Sequence, residues 1–187
     1  RRMGVLVERP TFYEHLTVKR NLKLHAQLAG CEVNVDRVMD MTGILEVAEV
    51  RPRRLSHGMR QRLGLALAML TEPELLLLDE PSAGLDVEAS QDMLDLLRRL
   101  AENSRVTIVF SSHLMHEVEW LCDRVAIMSD GHLVACERTG ALLSYDERSV
   151  EVLIEGPEGA AKRLAAQPWV EEVAIKPGRL VVELRES

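Results

Sequence analysis

The sequence has little that would cross-link it, carry it through a bilayer or draw it to a polyanion. Its three cysteines, Cys31, Cys122 and Cys136, are odd in number, widely spaced and outside any C-x-x-C pair. That excludes a disulfide framework and a zinc ribbon and fits a reducing cytoplasm. The longest apolar runs, such as Leu75 to Leu78 and Val106 to Phe110, fall far below the roughly 18 residues a membrane-spanning helix needs. Positive charge is in deficit, with 23 lysines and arginines against 30 acids and a net charge of -7. A general electrostatic pull toward a phosphate backbone or an anionic lipid surface is therefore missing, and no nucleic-acid partner is expected. Aromatic residues are scarce at 3%, yet the 47% hydrophobic and 28% charged content of the 187 residues is that of a globular chain with one substantial core. An initiator methionine is also lacking: the chain opens on Arg1-Arg2-Met3-Gly4-Val5-Leu6-Val7, a strand already in progress. The expectation is that the natural amino terminus lies upstream.

The first third reads as mainly helical. Thr17 stands as an N-cap for a helix through Asn21, Leu22 and Leu28 that stops at Gly30. Short helices are expected over Val35 to Met41 and Ile44 to Glu49. Ser56 precedes another, in which Leu63, Ala66, Leu67 and Leu70 recur at helical spacing before Pro73. From Leu75 short apolar runs (Leu75 to Leu78, Val106 to Phe110, Val125 to Met128) alternate with helices near Val87 to Glu102 and His113 to Cys122. Strands apolar on both faces and separated by helices imply an α/β core, a parallel sheet covered on both sides. Asp130-Gly131 reads as a hairpin turn into a strand from Leu133 to Cys136. The remainder reads strand, helix, strand, strand: Val150, Val152 and Ile154 alternate, a helix runs near Gly159 to Gln167, and two strands flank Pro177-Gly178.

Two stretches carry chemistry. In Leu75-Leu76-Leu77-Leu78-Asp79-Glu80-Pro81 a buried strand ends in two adjacent carboxylates, at the edge of a parallel sheet where ligands bind. Successive strand side chains point to opposite sides, so one acid can hold a hydrated magnesium ion while the other polarises a water. A plain strand followed by an acidic loop has the same residues. In Leu55-Ser56-His57-Gly58-Met59-Arg60-Gln61-Arg62, Ser56 caps a helix and Gly58 lets a ligand approach the backbone. Free N–H groups and the positive helix end there suit a phosphate, although an ordinary capped helix reads alike.

Taken in order with Ser82-Ala83-Gly84-Leu85-Asp86 and Ser111-Ser112-His113, these stretches resemble the signature sequence, Walker B strand, D-loop and switch histidine of the ATP-binding cassette (ABC) ATPases of transporters. The resemblance covers roughly the first 145 residues and implies a partial P-loop NTPase core over 1–147, with a helical subdomain at about 14–72. A small βαββ extension at 148–187 resembles the one on many drug-exporter subunits. By the same resemblance Asp79 is the magnesium-associated acid, Glu80 the general base for the attacking water and His113 the sensor of the γ-phosphate. Ser56 and Gly58 act on ATP held by a second ATPase subunit, identical or not, in a head-to-tail dimer, with Asp86 at the dimer contact. The cofactors implied are ATP and Mg2+. The implied partners are separate transmembrane permease subunits, which choose the transported substrate and hold the protein on the inner face of the cell membrane.

Departures from the family pattern sharpen the expectation. The signature reads Ser-His-Gly-Met where the family usually has Ser-Gly-Gly-Gln, and a methionine there resembles the drug, antibiotic and polysaccharide exporters. Glu8 stands where the family has the glutamine of the Q-loop, and as a carboxylate it too can ligate magnesium. Other signals read as bland: His113, His116 and Glu117 have a metal-like spacing without a third-ligand motif, Arg51, Arg53 and Arg54 form a solvated loop, and the eight methionines fill core. Tyr13 and His15 lie in the region that in the family faces the membrane partner. Two other functions share the cassette. A translation or DNA-repair protein would carry a second cassette or a long coiled coil, neither of which is seen. A non-catalytic remnant would lend its signature helix to an intact cassette. No G-x-x-x-x-G-K-[ST] loop occurs in the 187 residues, so the lysine and glycine cradle for the β- and γ-phosphates is not among them. This chain alone is therefore expected to bind ATP weakly if at all; a radiolabelled ATP assay giving micromolar affinity would contradict this.

Overall fold

The computed structural model describes residues 3–104, 106–143, 149–153, 157–176 and 178–185. Arg1 and Arg2 of the opening run, Ile154, Pro177 and the boundary expected at 147/148 lie outside the described residues. The chain divides into two compact units, Arg1–Cys122 and Asp123–Ser187.

The first unit is built on a parallel sheet of β1 (Met3–Leu6), β2 (Leu75–Asp79) and β3 (Thr107–Ser111), in that spatial order. The register aligns Met3, Leu75 and Thr107 at one end and Leu6, Leu78 and Phe110 at the other. Between β1 and β2 the chain forms α1 (Val18–Ala29), α2 (Val35–Met41) and α3 (His57–Met69), all inside the helical stretch expected at 14–72. The caps explain the boundaries. Thr17 Oγ1 accepts from the Arg20 amide, Gly30 closes α1 at φ 67°, and Ser56 Oγ accepts from the Met59 amide. Fully buried Asn21 fixes the approach to α1: its Oδ1 accepts from the Tyr13 amide and its Nδ2 donates to the carbonyls of Tyr13 and Thr17. The helix expected over Ile44 to Glu49 is only a 3-10 turn at Leu45–Val47, with no side-chain cap to extend it. After β2, α4 (Val87–Asn103) and α5 (Met115–Leu121) flank β3 in sequence.

Leu63 and Leu65 of α3, Leu76 of β2, and Met93 and Leu97 of α4 are fully buried in one core. Burying each such side chain contributes about 1.5–3 kcal/mol. The sheet is not covered on both sides as expected. Leu6, Leu76 and Leu78 are buried, but Val5 and Val109, level with Leu77 across the sheet, are 51% and 53% exposed, because no helix among the described residues packs on that face.

The second unit corrects another expectation. The apolar run at Val125 to Met128 lies in β4 (Arg124–Ser129), which among the described residues pairs antiparallel with β5 (His132–Arg138) and not with the parallel sheet. The turn between them, Asp130 at φ 49° and Gly131 at φ 76°, has both central residues left-handed, as a tight hairpin requires. A short helix, α6 (Thr139–Leu143), follows. Then β6 (Ser149–Leu153), α7 (Pro157–Ala165), β7 (Val170–Lys176) and β8 (Arg179–Leu184) give the strand, helix, strand, strand order, paired as β6-β8-β7 around Leu180 and Val182.

In the first unit α3 crosses β1 so closely that a side chain on Gly4 would run into the Ala68 carbonyl, and one on Gly64 would meet Leu6 and Pro10. The backbone obstacle at Gly4 cannot swing aside. Gly4→Ala is thus expected to destabilise the unit by about 1–3 kcal/mol, seen as a lower urea midpoint; an unchanged midpoint would contradict the packing.

Candidate active site

The parallel register brings the carboxyl ends of three strands to one edge. Asp79, the last residue of β2, lies level with Ser111 of β3, and Glu8 follows β1 by two residues. At this edge Ser111 ties the two acids of β2 together. Its hydroxyl donates to Asp79 Oδ1 at 2.9 Å and accepts the Glu80 amide at 3.0 Å. Glu80 itself has φ 46°, a left-handed conformation costly for a side-chain-bearing residue, by about 1–3 kcal/mol. That turn takes the Glu80 carboxylate to His113, whose Nδ1 lies 3.0 Å from both Oε1 and Oε2. A carboxylate only accepts, so Nδ1 carries the proton.

The Glu80 carboxylate raises the His113 pKa above its usual 6.5, first by hydrogen bonding and then by charge, with Glu117 adding a smaller pull. The Glu80 side chain is 27% exposed and that of His113 71%, so the ring can rotate off the acid without unpacking anything. Neither Asp79 nor Glu80 is paired with lysine or arginine among the described residues. The cleft beside them, about 300 Å³, is lined by Glu80, Ser82, Leu85, Leu94, His113 and His116. A larger cleft of about 460 Å³ lies elsewhere, lined by residues including Arg37, Met41, Glu72 and Val106, and contains none of the expected site residues.

Ser56 and Gly58 join a second knot. Gly58 opens α3 against Leu85 and Ala89, and His57 Nε2 lies 3.0 Å from the Ala83 carbonyl. Asp86 ends the same loop and is committed as the N-cap of α4, its Oδ1 accepting from the Ala89 amide at 2.8 Å. Glu8 is joined to neither knot by a hydrogen bond among those described. Its carboxylate leans on Arg9 at 3.5 Å and its carbonyl accepts from Gln61 Nε2 at 3.0 Å.

Ser111, His57 and Gln61 were in plain view in the motifs, yet their contacts depend on strand register and on the loop after Glu80, which no local pattern encodes. Glu117 is likewise a structural group. Fully buried, it accepts from Ser90 and Ser112, which removes it from the metal-like spacing with His113 and His116. No cluster of three or more His, Cys, Asp or Glu suited to a metal occurs among the described residues. The hard oxygen of Asp79 nevertheless fits magnesium, which keeps most of its waters and needs only one or two carboxylates beside phosphate oxygens.

Comparison with known proteins places this geometry. The family model described as "ABC transporter" matches residues 1–83. The chain is 38% identical over 191 residues to the uncharacterized ABC transporter ATP-binding protein YdbJ of Bacillus subtilis, a match covering 99% of the chain and 60% of that relative. It is 40% identical over 136 residues to the bacitracin transport ATP-binding protein BcrA of Bacillus licheniformis, covering 72% of the chain and 44% of that relative. The chain thus spans roughly half the length of these curated relatives. Among solved structures, cbiO1 from Clostridium perfringens, described as part of the ABC transporter complex cbiONQ, superposes with a TM-score of 0.69 at 23% identity, covering 78% of this chain and 61% of that one. That likeness establishes the fold: an α/β core built on a parallel sheet.

The His113–Glu80 pair is testable by itself. Because the folded pKa of His113 is raised, its stabilising effect is complete below about pH 6.5 and disappears as pH rises through the folded value. Glu80→Gln is expected to move the His113 NMR titration midpoint down toward 6.5; an unmoved midpoint would mean the pair does not form in solution.

Proposed function

Because the chain belongs to the family of ABC transporter ATP-binding proteins, we propose that it supplies the hydrolytic edge and the signature helix of an ATPase subunit that drives a bacterial exporter. The observation that carries this reading is the edge itself: Asp79 and Glu80 tethered through Ser111, with His113 on Glu80. Exporter rather than importer rests on Met59 in the signature. Permease subunits hold the protein at the inner face of the membrane and select what is moved. No described helix is long and apolar enough to cross a membrane.

Phosphoryl transfer to water needs positioning and charge neutralisation more than covalent chemistry. Asp79, with Glu8, would supply the carboxylate oxygens for Mg2+, which when bound would neutralise charge on the ATP phosphates. Glu80 accepts the proton of the attacking water. Both Glu80 oxygens lie 3.0 Å from His113 Nδ1, so one must be released before it can act as base. The exposed imidazole does this by turning its Nδ1–H toward the γ-phosphate, a stronger acceptor than a shared carboxylate. Sensing and base activation are then one movement. Ser56 Oγ and the amides beside Gly58, at the positive end of α3, cover ATP held by the second subunit. Asp86 lies at that contact, where its capping bond fixes the loop rather than the phosphate.

Glu80→Gln in the full-length gene product should lower ATP turnover roughly 10²–10⁴-fold, the usual contribution of a general base, and trap a nucleotide-bound dimer on size exclusion. Unchanged turnover would refute Glu80 as the base.

A further inference from the structure

The contact between His57 and Ala83 serves neither nucleotide binding nor the core, yet it joins the two knots of the site. His57 is the first residue of α3, one position from each of Ser56 and Gly58, and its ring is exposed. A carbonyl only accepts, so His57 Nε2 carries a hydrogen and donates it to Ala83 at 3.0 Å. The Ala83 amide in turn donates to the Glu80 carbonyl at 3.0 Å, and the Leu85 amide to the Ser82 carbonyl at 3.2 Å. The turn is thus pinned at one end by the residue that bears the hydrolytic carboxylate and at the other by the signature helix. Gly84 leaves room for the ring: it has φ 72°, and a Cβ there would stand 3.3 Å from His57 Nε2. Gly58 packs beside the same loop, its Cα side facing Leu85 and Ala89.

We infer that His57 is a positioning residue that links the signature helix to Glu80 of the same chain through the relay His57–Ala83–Glu80. The inference rests on the proposed reading of Ser56 and Gly58 as contacts to ATP held by the second subunit. With that reading, each chain touches one nucleotide through α3 and works on another through Glu80, and the relay is a hydrogen-bonded path between the two. Glycine at position 57 would leave the Ala83 carbonyl without this donor, so the histidine gives this chain a tie that the commoner signature lacks.

The link is tested without nucleotide by amide hydrogen exchange on the 187-residue chain. His57→Ala should speed exchange at Ala83 and Leu85 by about two- to tenfold, the worth of one hydrogen bond, with Leu65 and Ala66 inside α3 unchanged. His57→Gln, whose amide nitrogen can take the place of Nε2, should restore slow exchange. Unchanged exchange at Ala83 in His57→Ala, or equal acceleration across α3, would overturn the relay and leave the histidine a surface or helix-stability residue. In the full-length product, His57→Ala should lower kcat for ATP several-fold with KM little changed, and His57→Gln should recover it. If exchange responds while kcat does not, the relay exists but does not couple the sites. If the unaltered full-length product hydrolyses no ATP, the functional reading fails and the exchange result still decides the hydrogen-bonded link.

Discussion

The in-register meeting of Asp79 with Ser111 is the constraint on which the site depends. Parallel pairing of β2 and β3 delivers the serine hydroxyl to the level of the first acid, where it can accept the amide of the second while donating to the first. That pair of bonds stabilises Glu80 in a left-handed conformation which would otherwise be unfavourable for a glutamate. The conformation then directs the carboxylate to His113 and starts the turn that returns to α3. Slide β3 by one residue and its side chains exchange faces; Ser111 would leave Asp79, and the acid, the histidine and the loop would lose their common anchor.

Local features were legible wherever side chain and backbone meet within a few residues. Thr17 and Ser56 marked helix starts and Gly30 a helix end because capping is a short-range hydrogen-bonding problem. The adjacent acids of the Asp79-Glu80 pair stood out because a wholly apolar strand ending in charge is uncommon in a buried sheet. Long-range pairing was not legible. Val125 to Met128 is as apolar as Leu75 to Leu78, but composition does not say which strand will be its neighbour, and its partner is the hairpin mate across Asp130-Gly131. The same holds for the open sheet face at Val5 and Val109. An apolar pattern records the need for cover without recording where the cover comes from.

Within the candidate site, motif order named the residues but not their contacts. Asp79, Glu80 and His113 were picked out by type and spacing, and the structure adds that Glu80 and His113 are hydrogen-bonded to each other. Asp86 turns out to be a helix cap as well as a residue of the proposed dimer contact. The unusual histidine in the signature sequence and the buried Gln61 beneath Glu8 both spend their side-chain nitrogens on backbone carbonyls of neighbouring loops. These contacts make α3 a strut between the ends of β1 and β2, closely packed on β1 through Gly4 and Gly64. A helix so fixed ties the loop after Glu80 to the end of β1.

The central claim is that the hydrolytic edge of one chain works with the signature helix of another. Mixing two inactive full-length variants tests it most directly, one carrying Glu80→Gln and the other Ser56→Arg. In a head-to-tail dimer one mixed site contains both lesions and the other neither, so combining the variants should restore part of the ATP turnover that each lacks. If both residues served the same nucleotide within one chain, every site in the mixture would remain broken, and the absence of any recovery from a mixture shown to form dimers would contradict the account.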